Sequence, residues 1–427
     1  MINSTKSYVY TSGRMKVKSS LAAATATYAK KTMLQKELGM TLVELMVAMA
    51  ISLFMLVAIA LVYQSSKTGF VYANNTVRMS EDASFAIDTL SRDIRMASYG
   101  GCAGLSTGRT AGPDGIAFTA DDVLSDATLP TTTSTPKLAN VTGLTGTFDK
   151  PNPGSNLPLT ETNAVMGFPS GTGAAAIAAR NALHTTTPTY TVSSNSPILY
   201  IAGGSSRGFQ IASTGVAAGQ PNLTFAAVPH VGPQITQDDF MMIADCKGSE
   251  LFRVTSFVKS TGILASSTNF LNSYSPDALV MPLETSSYFI ATRSNANTPS
   301  LYRRFFTGKT ATYEEVVPNV EAITYHFGEN NTNFTTGPMT GAPTYRADIY
   351  HADAASVTNW SRIVSIRIGL IMVTEDRSQT AGTQAATMPW LGTGTNSATP
   401  YTVPDTTDGR LRRAYTTMVS IRNRAGL

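Results

Sequence analysis

The sequence predicts an α+β protein in which one long N-terminal helix packs on an antiparallel β-sheet domain with large loop insertions. The first observation is the uncharged run Leu45–Tyr63. The second is a proline-free continuation over residues 64–99. The third is a period-2 pattern within Arg362–Thr374, where apolar residues alternate with polar or small ones as in a strand with one buried face. The apolar members are Val364, Ile366, Ile368, Leu370 and Met372.

Charge is unevenly distributed along the 427 residues. The formal net charge is +4. Residues 1–39 carry seven basic side chains opposed only by Glu37, whereas residues 40–427 carry 25 basic and 27 acidic side chains, a net −2. The basic balance therefore belongs to the first 39 residues, and the remainder argues against nonspecific binding of nucleic acid. The two cysteines exclude a four-cysteine zinc site or iron–sulfur cluster.

Leu45–Tyr63 predicts a membrane-spanning helix. Its 19 residues give a helix of about 29 Å, close to the ~30 Å hydrocarbon core of a bilayer. The alternatives are a secretory signal, whose apolar region is usually shorter, and a buried soluble helix, which usually shows a polar face. Lysines on the N-terminal side place that end in the cytoplasm, so the rest of the chain would be exported.

The helix is expected to continue beyond the membrane. Apolar residues recur after Gln64 with helical spacing, and Gly69 is a point where a long helix can bend. Gly100-Gly101 is the stop signal, which predicts a helix of about 55–60 residues. The apolar stripe must pack either on the protein's own domain or on neighbouring helices. Its members are Phe70, Val77, Ile87, Leu90, Ile94 and Ala97.

The segment Gly39–Ala48 (GMTLVELMVA) resembles the class III signal of type IV prepilins and type II secretion pseudopilins. The resemblance implies that a prepilin peptidase cleaves after Gly39 and N-methylates Met40, and that Glu44 is the assembly glutamate. Met40 departs from the usual phenylalanine. Thirty-nine residues is long for such a leader, so translation from Met33 or Met15 is an alternative start.

Glu44 has a physical reason to be functional. A carboxylate inside a bilayer costs on the order of a few kcal/mol, so it is expected to be paired. Cleavage would leave a positively charged amine at Met40, and the amine of a neighbouring subunit would reach Glu44 in a stacked polymer. The alternative is an ordinary single-pass helix with one tolerated charge near the interface.

Further segments resemble the PilW-type minor pilins. The resemblance implies a type IV pilin-like fold. It also implies a minor pilin that first lies in the inner membrane, with its N-terminus in the cytoplasm and its C-terminal domain in the periplasm. The protein would then be part of the pilus, at its tip. Its partners would be the prepilin peptidase, other minor pilins, the major pilin and a PilY-type adhesin; twitching motility, adhesion and DNA uptake would depend on it indirectly. The segments that carry the resemblance are Gln64–Lys67, Phe85–Asp88, Leu90–Ala97, Tyr99–Cys102, Asp245–Cys246, Leu251–Val254, Val364–Ile368 and Thr416–Arg424.

Three rival functions stay open from the sequence. One is a type II secretion pseudopilin of the J kind, which is built in the same way. Another is a membrane-tethered periplasmic enzyme, and the third is a membrane-anchored binding protein or DNA receptor.

The predicted organisation has four parts: a leader at 1–39, the membrane half of the helix at 40–63, its amphipathic half at 64–100, and a β-rich periplasmic domain at 101–427. Residues 103–197 are expected to form a Ser/Thr/Gly-rich insertion of loops or short surface strands, with one short helix at Ala174–Ala179 and disorder as the alternative. The predicted strands are Ile198–Ala202, Leu223–Val228, Phe240–Asp245, Leu251–Val258, Ser287–Thr292, Ile323–Phe327, Arg362–Thr374 and Tyr415–Arg422.

Cys102 and Cys246 both fall on the exported side, where a disulfide persists. Such a bond would join the end of the helix to the sheet. Two free buried thiols are the alternative.

Motifs for catalysis are missing from the sequence. No paired-histidine metal spacing occurs, and Gly308-Lys309-Thr310 lacks the upstream glycine of a P-loop. We therefore expect neither enzymatic activity nor a cofactor. An acidic group is a weak candidate for calcium, with a solvated loop as the favoured interpretation; its members are Asp114, Asp121, Asp122 and Asp126. Basic pairs such as Arg303-Arg304 and Arg412-Arg413 are interpreted as salt-bridged strand ends, with contact to DNA or to an acidic partner subunit as the alternative.

Overall fold

A computed structural model describes the chain from Thr41 to Arg424 with gaps. The predicted leader and the predicted short helix at Ala174–Ala179 lie outside the described residues. The described ranges are 41–101, 109–110, 123–124, 138–139, 164–171, 190–226, 235–245, 249–267, 269–270, 272–296, 298–307, 310–330, 347–357, 360–375, 377, 384–385, 387–388 and 401–424.

One helix, α1, runs without interruption over Leu42–Met96, 55 residues. This confirms the predicted long helix and its end just before Gly100. The chain forms two compact units, residues 1–64 and residues 65–427. The first contains the apolar half of α1, and the second contains the other half together with the β-sheets.

Twenty strands are described, and all but one of their pairings are antiparallel. The exception joins β3 to the start of β10. Three short 3₁₀ helices are also described, at Ala354–Ser356, Trp360–Arg362 and Arg422–Arg424. The strands are β1 (Arg109–Thr110), β2 (Val123–Leu124), β3 (Leu138–Ala139), β4 (Val165–Phe168), β5 (Tyr190–Val192), β6 (Ile198–Gly204), β7 (Phe209–Gln210), β8 (Asn222–Thr224), β9 (Phe240–Ala244), β10 (Ser249–Val258), β11 (Ile263–Ser266), β12 (Leu279–Arg293), β13 (Ser300–Thr307), β14 (Thr310–Val317), β15 (Val320–Glu329), β16 (Ile349–His351), β17 (Ile363–Val373), β18 (Thr387–Met388), β19 (Tyr401–Thr402) and β20 (Arg412–Ser420).

The larger sheet has twelve described strands and is organised around β12. The first residues of β12 pair with β9 and β7, and its later residues pair with β6, β13 and β5. Both faces of this sheet are buried, because successive side chains of a strand point to opposite faces and both sets are apolar. Tyr288 and Ile290 of β12 join one core, and Phe289 and Ala291 join the other.

The smaller sheet has the strand order β16–β15–β17–β20. The predicted period-2 pattern is confirmed at its centre, where Ile366, Ile368 and Leu370 of β17 face the core. Val364 is an exception. A register shift opposite Gly328 and Glu329 pairs Glu329 with Ile363, so Ile363 takes the core position that the sequence pattern gave to Val364.

One face of the second half of α1 is buried in a core shared by both sheets. Its buried residues recur every three or four positions and contact side chains from β6, β12, β15, β17 and β20. The sequence predicted a two-layer arrangement, and the structure adds a second core on the far face of the larger sheet. The α1 residues in the shared core are Met79, Ala83, Ala86, Leu90 and Ile94.

Part of the segment 103–197, expected as loops or short surface strands, contributes to these cores. Val165 and Tyr190 are buried, in β4 and β5 respectively. The hairpin formed by β13 and β14 was not among the predicted strands.

The end of α1 rests against the end of β6. The N–H of Ser98 donates to the carbonyl of Ala202 at 2.9 Å, and the N–H of Gly204 donates to the carbonyl of Tyr99 at 2.7 Å. A Cβ on Gly203 would lie 3.0 Å from the backbone oxygen of Met96. The Gly203-Gly204 pair therefore lets the backbone of the helix end approach the strand directly.

Candidate functional site: the long helix and its anchors

The first turn of α1 is capped by Thr41. The N–H of Leu45 donates to the Thr41 carbonyl at 3.1 Å, and the N–H of Glu44 donates to the Thr41 hydroxyl oxygen at 3.2 Å. Thr41 is therefore the N-cap and Glu44 the third residue of the helix, the spacing of a Thr-x-x-Glu capping box. The sequence reasoning missed this cap, although the spacing was visible. Gly39 and Met40 lie outside the described residues.

The apolar half of α1 is uncovered. Every residue from Thr41 to Phe70 is exposed, and the segment is long and apolar enough to span a membrane. Phe54, near its middle, is 77% exposed. Apolar area left in water costs roughly 25 cal/mol per Å², so a surface of this length calls for lipid or a protein partner.

Apolar residues also remain exposed on the second half of α1. Phe70 is 73% exposed, Val77 54% and Phe85 60%. At 100° per residue, Phe70 and Val77 lie opposite the face that carries Met79 and Leu90. The domain therefore covers one side of the helix and leaves this second apolar stripe free.

Asp93 anchors the second half of α1 to the larger sheet. Its Oδ2 accepts hydrogen bonds from Ser286 Oγ at 3.0 Å, Tyr288 OH at 2.6 Å and Arg303 Nη1 at 2.9 Å. The same guanidinium bonds Glu314 on β14. Burial, followed by the negative charge of Asp93, raises the pKa of Tyr288 well above its ordinary value, so Tyr288 remains a neutral donor.

A second ion-pair cluster joins β15, β20 and the segment between β17 and β20. Arg412 is buried, and its Nε lies 2.9 Å from Glu321 Oε2. Its two Nη atoms bond both oxygens of Asp408, at 3.0 and 2.6 Å. Tyr401 OH donates to Glu321, and burial followed by that contact raises the pKa of Tyr401. Arg303 and Arg412 are thus in ion pairs, although Arg303 lies inside β13 rather than at its end.

The described residues hold no group of three or more His, Cys, Asp or Glu side chains that could bind a metal ion. His351 Nε2 lies 2.6 Å from the buried Glu329, a pairing that sequence spacing did not reveal. The remaining predicted site residues lie outside the described part of the chain. They are Cys102, Cys246, Asp114, Asp121, Asp122 and Asp126.

Two family models match the chain. Residues 287–423 match the model described as type IV pilus-assembly protein W, and residues 34–60 match the prokaryotic N-terminal methylation motif. Together these matches support a PilW-type minor pilin. The first covers roughly a third of the chain, from within β12 to the turn after β20, and the second spans Gly39, Met40 and Glu44.

Comparisons of the chain with curated proteins and with solved structures add less. No curated protein matches it. Among solved structures it is similar to the type IV-like pilin TTHA1219 from Thermus thermophilus, with 14% identity over 44% of this chain and 86% of that chain. The TM-score is 0.18, which carries no argument. Pilin-family domains are structural rather than enzymatic, and the apolar helix and prepilin motif fit a pilin anchored in the inner membrane.

Proposed function

We propose that this minor pilin enters pilus assembly through α1, after prepilin peptidase cleaves at Gly39 and methylates Met40. The observation that carries the proposal is the uncovered apolar surface of the helix, exposed from Thr41 to Phe70 and continued by Val77 and Phe85. Such a surface is suited to lipid before assembly and to the helices of other pilins afterwards. In this scheme residues 1–39 are the leader and residues 101–427 the periplasmic domain.

Glu44 would provide the docking signal. Its backbone is fixed by the Thr41 cap, so its carboxylate stands at a defined position in the first turn. A carboxylate in the membrane costs roughly a few kcal/mol unless it is paired. The N-terminal amine of a neighbouring pilin would supply the pairing charge, which makes docking specific for cleaved subunits.

The partners of this proposal are the prepilin peptidase, other minor pilins, the major pilin and a PilY-type tip adhesin, and the mature protein would sit at the pilus tip. The periplasmic orientation follows from the basic leader, which stays in the cytoplasm. The match to the type IV pilus-assembly protein W favours the pilus over a type II secretion pseudopilin of the J kind.

The test compares membranes and sheared pili from cells with and without the pilus machinery, using the tagged full-length chain. We expect mass spectrometry to find a methylated N-terminus at Met40, and the protein in the pilus fraction only when the machinery is present. An intact precursor, or a cleaved protein that never reaches sheared pili, would contradict the proposal.

A further inference from the structure

Among the described residues, the outer edge of β20 pairs with no other strand. Only alternate residues of β20 use their backbone N–H and C=O groups in hydrogen bonds to β17. The direction is fixed by two hydrogen bonds that frame the pair, Thr374 N–H to Leu411 O and Ile421 N–H to Val364 O, each 2.9 Å. The N–H and C=O groups of the even-numbered residues therefore point away from the sheet. They belong to Arg412, Ala414, Thr416, Met418 and Ser420.

A side chain occupies one end of this edge, and most of its other outward-facing residues are exposed. The outward N–H of Arg412 donates to the Gln384 side chain at 3.1 Å, which blocks that position. Thr416, Met418 and Ser420 are exposed, with Met418 at 57%. The edge from Ala414 to Ser420 lacks the usual protection, since it carries no proline, no bulge and no charged side chain.

Charge at the two ends of the edge indicates what it can bind. Arg413 and Arg422 are exposed and flank the open positions. Among the described residues neither forms an ion pair, in contrast to Arg303 and Arg412. Two uncompensated guanidinium groups at the ends of an open edge favour a strand with carboxylates at its own ends.

We propose that the Ala414–Ser420 edge binds an extended segment of another protein, with acidic flanks, as a fifth strand of the smaller sheet. Backbone hydrogen bonds from the outward groups would supply affinity, and the two arginines would select the partner's charge. The interaction lies in the globular domain and is separate from the proposed helix packing, so either can fail without the other.

The test uses the full-length protein in detergent and fluorescent probe peptides. The probe has alternating valine and threonine with two glutamates at each end, and fluorescence anisotropy measures binding. We expect it to bind, and the same peptide with alternate backbone amides N-methylated not to bind, because it cannot complete the ladder. Replacing the glutamates by lysines should lower the affinity by about two- to tenfold, as expected for the loss of two exposed ion pairs.

Variants locate the site. Thr416→Pro removes an outward N–H that β17 does not use, and Pro is tolerated on sheet edges, so binding should be lost. Thr416→Val keeps the N–H and should bind normally. Arg413→Gln with Arg422→Gln should reduce affinity only for the glutamate probe, relative to a probe with uncharged ends.

Three results would overturn the proposal. They are no binding of the glutamate probe to the unaltered protein, equal binding of the normal and N-methylated probes, and equal binding to Thr416→Pro and Thr416→Val with both folded. Dimers of the protein alone that disappear in Thr416→Pro would assign the edge to a second copy and overturn the acidic partner. If Thr416→Pro melts abnormally, the N-methylated probe still decides.

Discussion

The Asp93 carboxylate on α1 and the Arg303 guanidinium on β13 lie 2.9 Å apart, with side chains 17% and 15% exposed. The pair joins residues 210 positions apart in the sequence. A largely buried ion pair is favourable only when its remaining hydrogen-bonding groups are satisfied. Ser286, Tyr288 and Glu314 do this here, so the cluster fixes the helix at one register on the sheet.

Asp93→Asn should destabilise the protein strongly, because it leaves Arg303 without its buried counter-charge. We expect a loss of about 3 kcal/mol, at the lower end of the range for breaking a buried pair. Denaturant unfolding of the full-length chain in detergent measures it. Asp88→Asn, on the exposed face of the same helix, is the matched control and should change stability by less than about 0.5 kcal/mol. Equal effects of the two substitutions would refute the anchoring role of Asp93.

Glu44→Ala should leave processing intact and abolish incorporation into pili. It removes both the charge and the polar group at the third helical position, so Glu44→Gln is the informative companion. Glutamine serves a capping box as well as glutamate does, but carries no charge. If charge pairing drives docking, Glu44→Gln is also absent from sheared pili; normal incorporation would reduce Glu44 to a capping residue.

A disulfide between Cys102 and Cys246 is expected from the backbone beside the two cysteines. A Cβ on Gly101 would lie 2.6 Å from the Ala244 Cβ, so the segments leading to both cysteines come together. Closing a loop of about 145 residues stabilises by roughly 5 kcal/mol in the chain-entropy model.

Alkylation tests the bond: the protein as purified is unfolded in denaturant, with or without reduction, and its free thiols are labelled. We expect labelling only after reduction, and one free thiol in either Cys102→Ser or Cys246→Ser. Two free thiols in the unaltered protein would exclude the disulfide.

The Asp408–Arg412 pair predicts a defined pH dependence. Hydrogen bonding to Arg412 lowers the pKa of Asp408 below its ordinary value of 3.8. A carboxyl whose folded pKa is depressed contributes stability that is present above the unfolded pKa and is lost as pH falls through the folded one. The unaltered protein should therefore lose more stability below about pH 4 than Asp408→Asn does. Parallel melting curves between pH 6 and pH 3 would contradict this assignment.

The sequence was sufficient for elements whose signal is local. The apolar run, the absence of proline and Gly100-Gly101 defined α1, and alternation defined the centre of β17. The β13–β14 hairpin was missed because its strands carry charges that look solvated in sequence. In the structure Arg303 pairs with Glu314, and the Arg304 guanidinium lies 5.3 Å from the Tyr313 ring centre.

The anchors of α1 escaped prediction for a different reason. Asp93 looks like an ordinary exposed helix charge, and its partners lie on strands about two hundred residues away. Only the fold brings Tyr288 and Arg303 to it. Gly203 likewise lies just outside the predicted strand Ile198–Ala202, and only the structure shows that it lets the end of α1 approach β6.

One further contact closes the helix end: the Asn423 side-chain amide donates to the Ala97 carbonyl at 3.0 Å, across 326 positions. Contacts this distant in sequence form late, since a long loop must close first. The smaller sheet also needs β20 to cover β17. The core around α1 is therefore completed only when the last strand arrives, and until then the buried face of the helix stays uncovered, which is the stage at which misassembly and aggregation are most favoured.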